Sequence, residues 1–245
     1  MSERLKDKVA VITGGAGGLG LSVALTFAKE GAAIVLLGRN AERLATAQTS
    51  VEAAGAKCLS LVANAAEPES IAKALADAEE KMGGLDILVN SAGVFIWKGF
   101  LDLEPAQWQT TLDSNLSAAF FATQAFARLA VAAKRQGAVI NVSSIHGSVG
   151  DGGVVPHCAS KFGLIGLTEA SAEALRGSGV RVNCLSPGAI EPDSADRTSE
   201  SLKSQVTQGE LAKMCVFLGS DESGNLTGTN LNAFGVTRPV IAPNK

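Results

Sequence analysis

The densest group of residues able to do chemistry is Thr13-Gly14-Gly15-Ala16-Gly17-Gly18-Leu19-Gly20, which follows the aliphatic run Val9–Ile12 and opens a helix-length stretch. Glycines at such a junction permit a tight turn. They also let backbone N–H groups approach a pyrophosphate held at a helix N-terminus. Glycines that serve only helix–strand packing would look alike, but the place between a strand and a helix favours dinucleotide binding. The second aliphatic run ends in Gly38-Arg39-Asn40. Chains that use NAD usually carry an acid there for the ribose 2′-OH. A guanidinium instead pairs with a 2′-phosphate, so NADP(H) is favoured, with NAD(H) the second choice and a solvated loop arginine the plainer reading of Arg39. Cys58, Cys158, Cys184 and Cys215 have no CxxC or metal-ligand spacing, and no metal is expected. Cys158 falls at an expected helix start, where a thiol pKa can drop, but no separate base accompanies it.

Elements that would position these groups alternate regularly. Val9–Ile12, Ala33–Leu37, Cys58–Val62, Ile87–Val89, Ala138–Val142, Val180–Leu185 and Asn230–Phe234 read as strands apolar on both faces, as in a covered parallel sheet. Between them lie helix-length stretches near 18–30, 40–54, 67–82, 105–135 and 157–177, punctuated by Gly31, Gly55, Gly83-Gly84, Gly137 and Gly177. The order predicts a doubly wound α/β, Rossmann-type sheet of about seven parallel strands with helices on both faces. No linker interrupts the 245 residues, so residues 1–245 form a single expected domain. The ligand crevice should lie at the carboxyl ends of the strands.

Composition narrows the function classes. The residues are 46% hydrophobic and 18% charged, and the net charge is −3, which suits a globular protein without a basic nucleic-acid footprint. The start, Met-Ser-Glu-Arg-Leu-Lys-Asp-Lys, is too charged for a signal peptide, and no apolar run is long enough to span a bilayer. A cytoplasmic location with no membrane partner is the expectation.

With its TGxxxGxG spacing, the chain resembles the short-chain dehydrogenase/reductase family, and the likeness runs through nearly its whole length. Asn90-Ser91-Ala92-Gly93 resembles the family's NNAG turn, and Asn115 its active-site helix asparagine. Ser143-Ser144 resembles the catalytic serine segment, with the second serine the active one. Lys161 matches the lysine of the YxxxK pair, and Pro187-Gly188 the PG turn. The resemblance implies catalytic roles for Asn115, Ser144, His157 and Lys161. It implies cofactor contacts from Thr13, Gly14, Gly15, Gly18, Leu19, Gly20, Arg39, Asn64, Ala65, Asn90, Ala92, Gly93, Lys161, Pro187, Gly188 and Ile190. It also implies a small-molecule substrate and a homodimer or homotetramer built on the 105–135 and 157–177 stretches, although an amphipathic core helix would look the same.

The chain departs from the family's pattern at one end of the expected site. The place of the catalytic tyrosine, four residues before Lys161, is His157, and the chain contains no tyrosine. The adenine-contacting acid is Asn64, which keeps an acceptor oxygen. The threonine after the PG turn is Pro192, with neither hydroxyl nor N–H. The substrate lid, about 189–209, is shorter than usual and polar, so an open substrate site is expected.

Imidazole has an ordinary pKa of ~6.5 against ~10 for a phenol, and a charged Lys161 beside it should lower the former further. A neutral His157 is then a competent base for alcohol oxidation, and any ketone reduction should quicken as pH falls toward about 6. The alternative role is a structural cap at its helix start. His146 falls where some relatives acting on 3-hydroxy acids hold the substrate carboxylate; a supporting hydrogen bond is the other reading. Phe95, Trp97 and Phe100 follow the Asn90–Gly93 turn, either as substrate wall or as packing and interface residues. Three functions therefore compete: an NADP(H)-dependent oxidoreductase interconverting a ketone and a secondary alcohol, a cofactor-binding sensor or partner subunit without dehydrogenase activity, and a non-redox isomerase or lyase using Ser144 and His157.

Overall fold

A computed structural model describes residues 3–191 and 205–235. Its centre is a seven-stranded, all-parallel sheet in the order β3-β2-β1-β4-β5-β6-β9. The strands are β1 (Val9–Thr13), β2 (Ala33–Gly38), β3 (Cys58–Val62), β4 (Ile87–Asn90), β5 (Gly137–Val142), β6 (Val180–Pro187) and β9 (Asn230–Ala233). Strands β7 (Ile190–Glu191) and β8 (Val206–Thr207) form a separate parallel pair that brackets the undescribed stretch. Pro192 and most of the expected lid lie outside the described residues.

The runs are apolar on both faces because both faces are covered. On one side α1 (Gly18–Lys29), α2 (Ala41–Ala53) and α7 (Gln208–Gly219) pack through Val23, Phe27, Leu44, Val51, Leu211 and Val216 onto Ile12, Ile34 and Ile140. On the other, α3 (Pro68–Met82), α5 (Ala118–Ala132) and α6 (Val155–Ala174) bury Ile71, Leu75, Phe126 and Ala172 against Val11, Val35, Leu88 and Val139. Burying a side chain such as Phe126 contributes roughly 1.5–3 kcal/mol, so these layers, and not helix propensity, hold the helices.

Chain order reverses between β1 and β4: β2 and β3 lie to one side of β1, and β4, β5, β6 and β9 to the other. Loops leaving the two central strands therefore diverge and open a crevice at their carboxyl ends. Register aligns those ends, with Thr13 beside Leu37 and Asn90, and Asn90 beside Asn141.

One expected element is corrected. The 105–135 stretch is not a single regular helix but α4 (Pro105–Leu112), a π-helical turn at Asp113–Ser117, and α5. The turn has no glycine or proline to announce it. It contains the buried Asn115.

Candidate active site

The glycine turn begins with Thr13, whose buried hydroxyl accepts from the N–H groups of Ser91 (3.2 Å) and Ala92 (3.3 Å) and so ties the loop after β1 to the loop after β4. Gly14 has φ +68°, and a Cβ on it would come within 2.9 Å of the Ala92 backbone. Gly20 is fixed more tightly, since a Cβ there would sit 2.4 Å from the Gly14 carbonyl oxygen. No side chain caps α1, which leaves its first-turn N–H groups for a ligand. Gly18, at φ +53°, has nothing within 4 Å of its missing Cβ, so the backbone there is open to close approach. This cradle fits a dinucleotide pyrophosphate. Gly15 lies against Leu36, where a Cβ would come within 2.8 Å of the side chain, and it does not border the groove.

From this turn a continuous groove runs two ways. The first half is lined by Thr13, Gly14, Arg39, Arg43, Asn64, Ala65, Ala92 and Gly93. The second is lined by Gly18, Leu19, Gly20, Phe95, Asn115, Ser144, His146, Asp151, His157, Lys161, Pro187, Gly188 and Ile190. Gly14, Gly17, Ala92, Gly93 and Val94 border both halves. The fold thus gathers nearly every residue selected from the sequence. Gly15 is one exception and Asn90 the other. The Asn90 side-chain amide turns into the core, donating to Asn141 Oδ1 (2.8 Å) and Thr123 Oγ1 (3.0 Å), which ties β4, β5 and α5 together.

Asn115 works as a clamp. Its Oδ1 accepts from Val94 N–H (2.7 Å), and its Nδ2 donates to the Val94 carbonyl (3.0 Å) and to Ser160 Oγ (3.1 Å). The same amide nitrogen lies 3.5 Å from His157 Nδ1. Asn115 therefore sits behind His157.

His157 lies in the first turn of α6, whose N-cap is Val154, so the capping role considered for it does not apply. Phe95 stands edge-on to the imidazole at 4.9 Å between centroids, and His146 at 5.6 Å. Burial, then the charges of Lys161 and His146, push its pKa from 6.5 down to about 4, against a smaller opposing effect of a hydrogen bond with the Val94 backbone. Lysine was the expected cause of this depression; desolvation is the larger one.

Lys161 is 7% exposed, and its Nζ donates to the Val142 carbonyl at 2.7 Å. Burial lowers its pKa to about 8. Of the two serines, Ser143 is buried and donates to the Lys161 carbonyl (3.0 Å). Ser144 borders the groove, and its Oγ accepts from His146 N–H (3.2 Å). His146 Nε2 stands 3.6 Å from Asp151 Oδ2, a groove residue the sequence did not mark out.

Phe95 borders the groove, while Trp97 and Phe100, each 68% exposed, do not. Cys158 accepts from Asp151 N–H (3.3 Å), and burial raises its thiol pKa, contrary to the lowering expected at a helix start. Among the described residues no group of three His, Cys, Asp or Glu could hold a metal ion, and no helix is long and apolar enough to cross a membrane.

Arg43 also lines the first half of the groove and was not singled out from the sequence. Its spacing from Arg39, across the helix N-cap Asn40, was the available signal.

Residues 8–203 match the profile of the family described as short chain dehydrogenase. The chain belongs to the short-chain dehydrogenase family. As a member of that oxidoreductase family it is 31% identical to a 3-oxoacyl-[acyl-carrier-protein] reductase of Chlamydia trachomatis, over 96% of this chain and 99% of the relative. It is 32% identical to the Staphylococcus aureus protein of the same description, over 93% and 97%. Among solved structures, an NAD+-bound xylitol dehydrogenase aligns with TM-score 0.88 at 27% identity, covering 95% of this family member and 99% of that chain. The shared architecture is the seven-stranded Rossmann-type sheet, and the family binds NAD(P)(H).

Proposed function

We propose that the chain is an NADP(H)-dependent oxidoreductase that interconverts a small ketone and a secondary alcohol, with His157 as its acid–base group. The observation that carries this reading is that His157 and Ser144 line the same half of the groove as the glycine cradle, with the imidazole held neutral by burial. Relatives described as 3-oxoacyl reductases support a ketone-bearing substrate. Two arginines at the far end of the groove support a phosphorylated adenosine ribose.

Thr13, Gly14, Gly18 and Gly20 would hold the pyrophosphate, and Pro187, Gly188 and Ile190 would border the nicotinamide. When bound, the nicotinamide supplies or accepts the hydride. Ser144 Oγ donates to the substrate oxygen. In oxidation, neutral His157 accepts the alcohol proton; in reduction, its protonated form returns one. Phe95 and Asn115 fix the ring from two sides, and Lys161 keeps the imidazole from holding its proton. With the Lys161 ammonium bonded to Val142, the lysine acts on His157 through its charge.

A second reading, cofactor binding without redox chemistry, draws support from that same Lys161–Val142 bond, which directs the ammonium to the protein backbone. Titration calorimetry with NADPH and NADH, followed by cofactor absorbance against a panel of ketones and alcohols, separates the two. Turnover that survives His157→Ala unchanged removes His157 from the proposed role. Binding without turnover on any substrate establishes the second reading instead. Exposed Phe120 and Val131 on α5, beside Ala174 and Leu175 at the end of α6, support a homo-oligomer, which sedimentation would test.

A further inference from the structure

We propose that Asp151 makes the substrate half of the groove a receptor for a cation, so that the substrate is a small amino ketone or its amino alcohol with the ammonium group held on Asp151. The proposal rests on the oxidoreductase reading and names its substrate class. Among the described residues that line this half, Asp151 is the sole carboxylate. No lysine or arginine among the described residues pairs with it. The ionisable side chain facing it is His146, whose Nε2 stands 3.6 Å from Oδ2, beyond a hydrogen bond. A carboxylate that the protein leaves without a cation draws one from the ligand and turns anions away. An anion would find no free counter-charge here: Lys161, the only lysine or arginine lining this half, is buried and donates to the Val142 carbonyl at 2.7 Å.

The carboxylate is held in place by its own loop. Its Oδ1 accepts from Gly153 N–H (2.8 Å). The Asp151 backbone is fixed as well: its N–H donates to Cys158 Sγ (3.3 Å), and its carbonyl accepts from Val154 N–H (3.2 Å) just before α6. An ionised carboxylate has about four lone-pair sites, so these bonds leave acceptor capacity for a ligand. Asp151 is not among the charges that shift Lys161 or His157, which sets it apart from the proton-transfer group. Phe95 borders the same half, is 55% exposed, and adds an aromatic surface on which an ammonium group is favoured. Ser144 and His157 would then take the reacting oxygen of a short molecule, and Asp151 its charged end. The same placement argues against the carboxylate-holding role considered for His146, because a carboxylate bound there would face Asp151.

The test titrates three matched alcohols into the full chain with NADPH present, so that no alcohol can react, and follows binding by ligand-observed NMR. At neutral pH 1-aminopropan-2-ol is a cation, propane-1,2-diol is neutral and lactate is an anion. Wild type should bind the amino alcohol about tenfold more tightly than the diol, the scale of one charge-assisted contact, and lactate most weakly. High salt should shrink that preference. Asp151→Asn keeps an acceptor for the Gly153 N–H but removes the charge, and it should erase the preference. A wild type that binds lactate best or binds none of the three overturns the proposal. So does an Asp151→Asn variant that keeps the preference, or one that weakens all three ligands equally. Cofactor absorbance with NADP+ and the same alcohols tests the underlying reading separately. Preference without turnover leaves the cation site standing and defeats the oxidoreductase reading, whereas turnover without preference does the reverse.

Discussion

Acid should destabilise this protein through His157 by an amount that can be worked out in advance. In the unfolded chain the imidazole regains its ordinary pKa of 6.5, whereas in the folded state burial and Lys161 hold it near 4. Above about pH 6.5 the ring is neutral in both states and contributes nothing to the pH dependence. Below it, the unfolded chain takes up a proton that the folded chain refuses, so stability falls as pH falls. The slope approaches about 1.4 kcal/mol per pH unit and flattens near pH 4, where the folded state also protonates. At about pH 5 the loss amounts to about 2 kcal/mol, rising to about 3 kcal/mol near pH 4. The ring is only 8% exposed, so solvent screening does not erase the effect. Chemical denaturation at neutral pH and at about pH 5, for wild type and for His157→Gln, isolates it: glutamine does not titrate, and carboxylates elsewhere titrate alike in both proteins. His146 faces the same ring, so His146→Gln with His157 intact serves as the companion variant. Wild type should lose about 2 kcal/mol more than His157→Gln. Equal losses in the two proteins would refute the claim that the fold holds His157 neutral.

Three further outcomes follow from the same geometry. Ketone reduction should accelerate by nearly tenfold per unit as pH is lowered from about 7 to about 5, since the protonated fraction of a group with pKa about 4 grows at that rate, while alcohol oxidation should not gain; stopped assays in both directions check this. Gly20→Ala should abolish cofactor binding, because the added methyl would meet the Gly14 carbonyl at 2.4 Å and force the turn open; calorimetry alongside circular dichroism will distinguish lost binding from lost folding. Asn115→Ala should lower stability by about 1–3 kcal/mol through the Val94 N–H and carbonyl it strands, and should reduce kcat more than it raises KM, which thermal melts and steady-state kinetics will show.

The sheet was legible residue by residue because a doubly covered parallel strand imposes an uninterrupted apolar run, and few other contexts do. Cys58–Val62 was read without error, and Val9–Thr13 missed only its last residue. Site positions were legible where a fixed distance from an element end sets them, as with Ser144 after β5 and Lys161 in α6. What escaped was direction. Asn90 ends its strand as expected, yet the pleat turns its amide toward Asn141 and Thr123 and away from the groove. Arg43 reads as an ordinary helix-surface arginine until α2 is laid beside the glycine turn. The same holds for Cys158: a helix start alone suggests an activated thiol, but its burial, which only tertiary packing decides, reverses the shift.

The π-turn at Asp113–Ser117 has a further consequence for how the two ends of that long segment are related. One residue of an α-helix advances the side-chain direction by about 100°, so a single extra residue in a turn re-phases everything after it. Here the turn separates two populations of side chains. Before it, α4 lies against α6, the helix that bears His157 and Lys161; after it, α5 presents Ala122, Phe126 and Ala130 to the sheet and packs along α3. An unbroken helix would need one stripe to serve both surfaces, and a substitution improving one would turn the other out of alignment. The widened turn frees the core-facing phase of α5 from the α6-facing phase of α4, much as a universal joint lets two shafts meet at their own angles. The packing of α4 on α6 can therefore change without re-phasing the face that α5 turns to the hydrophobic core.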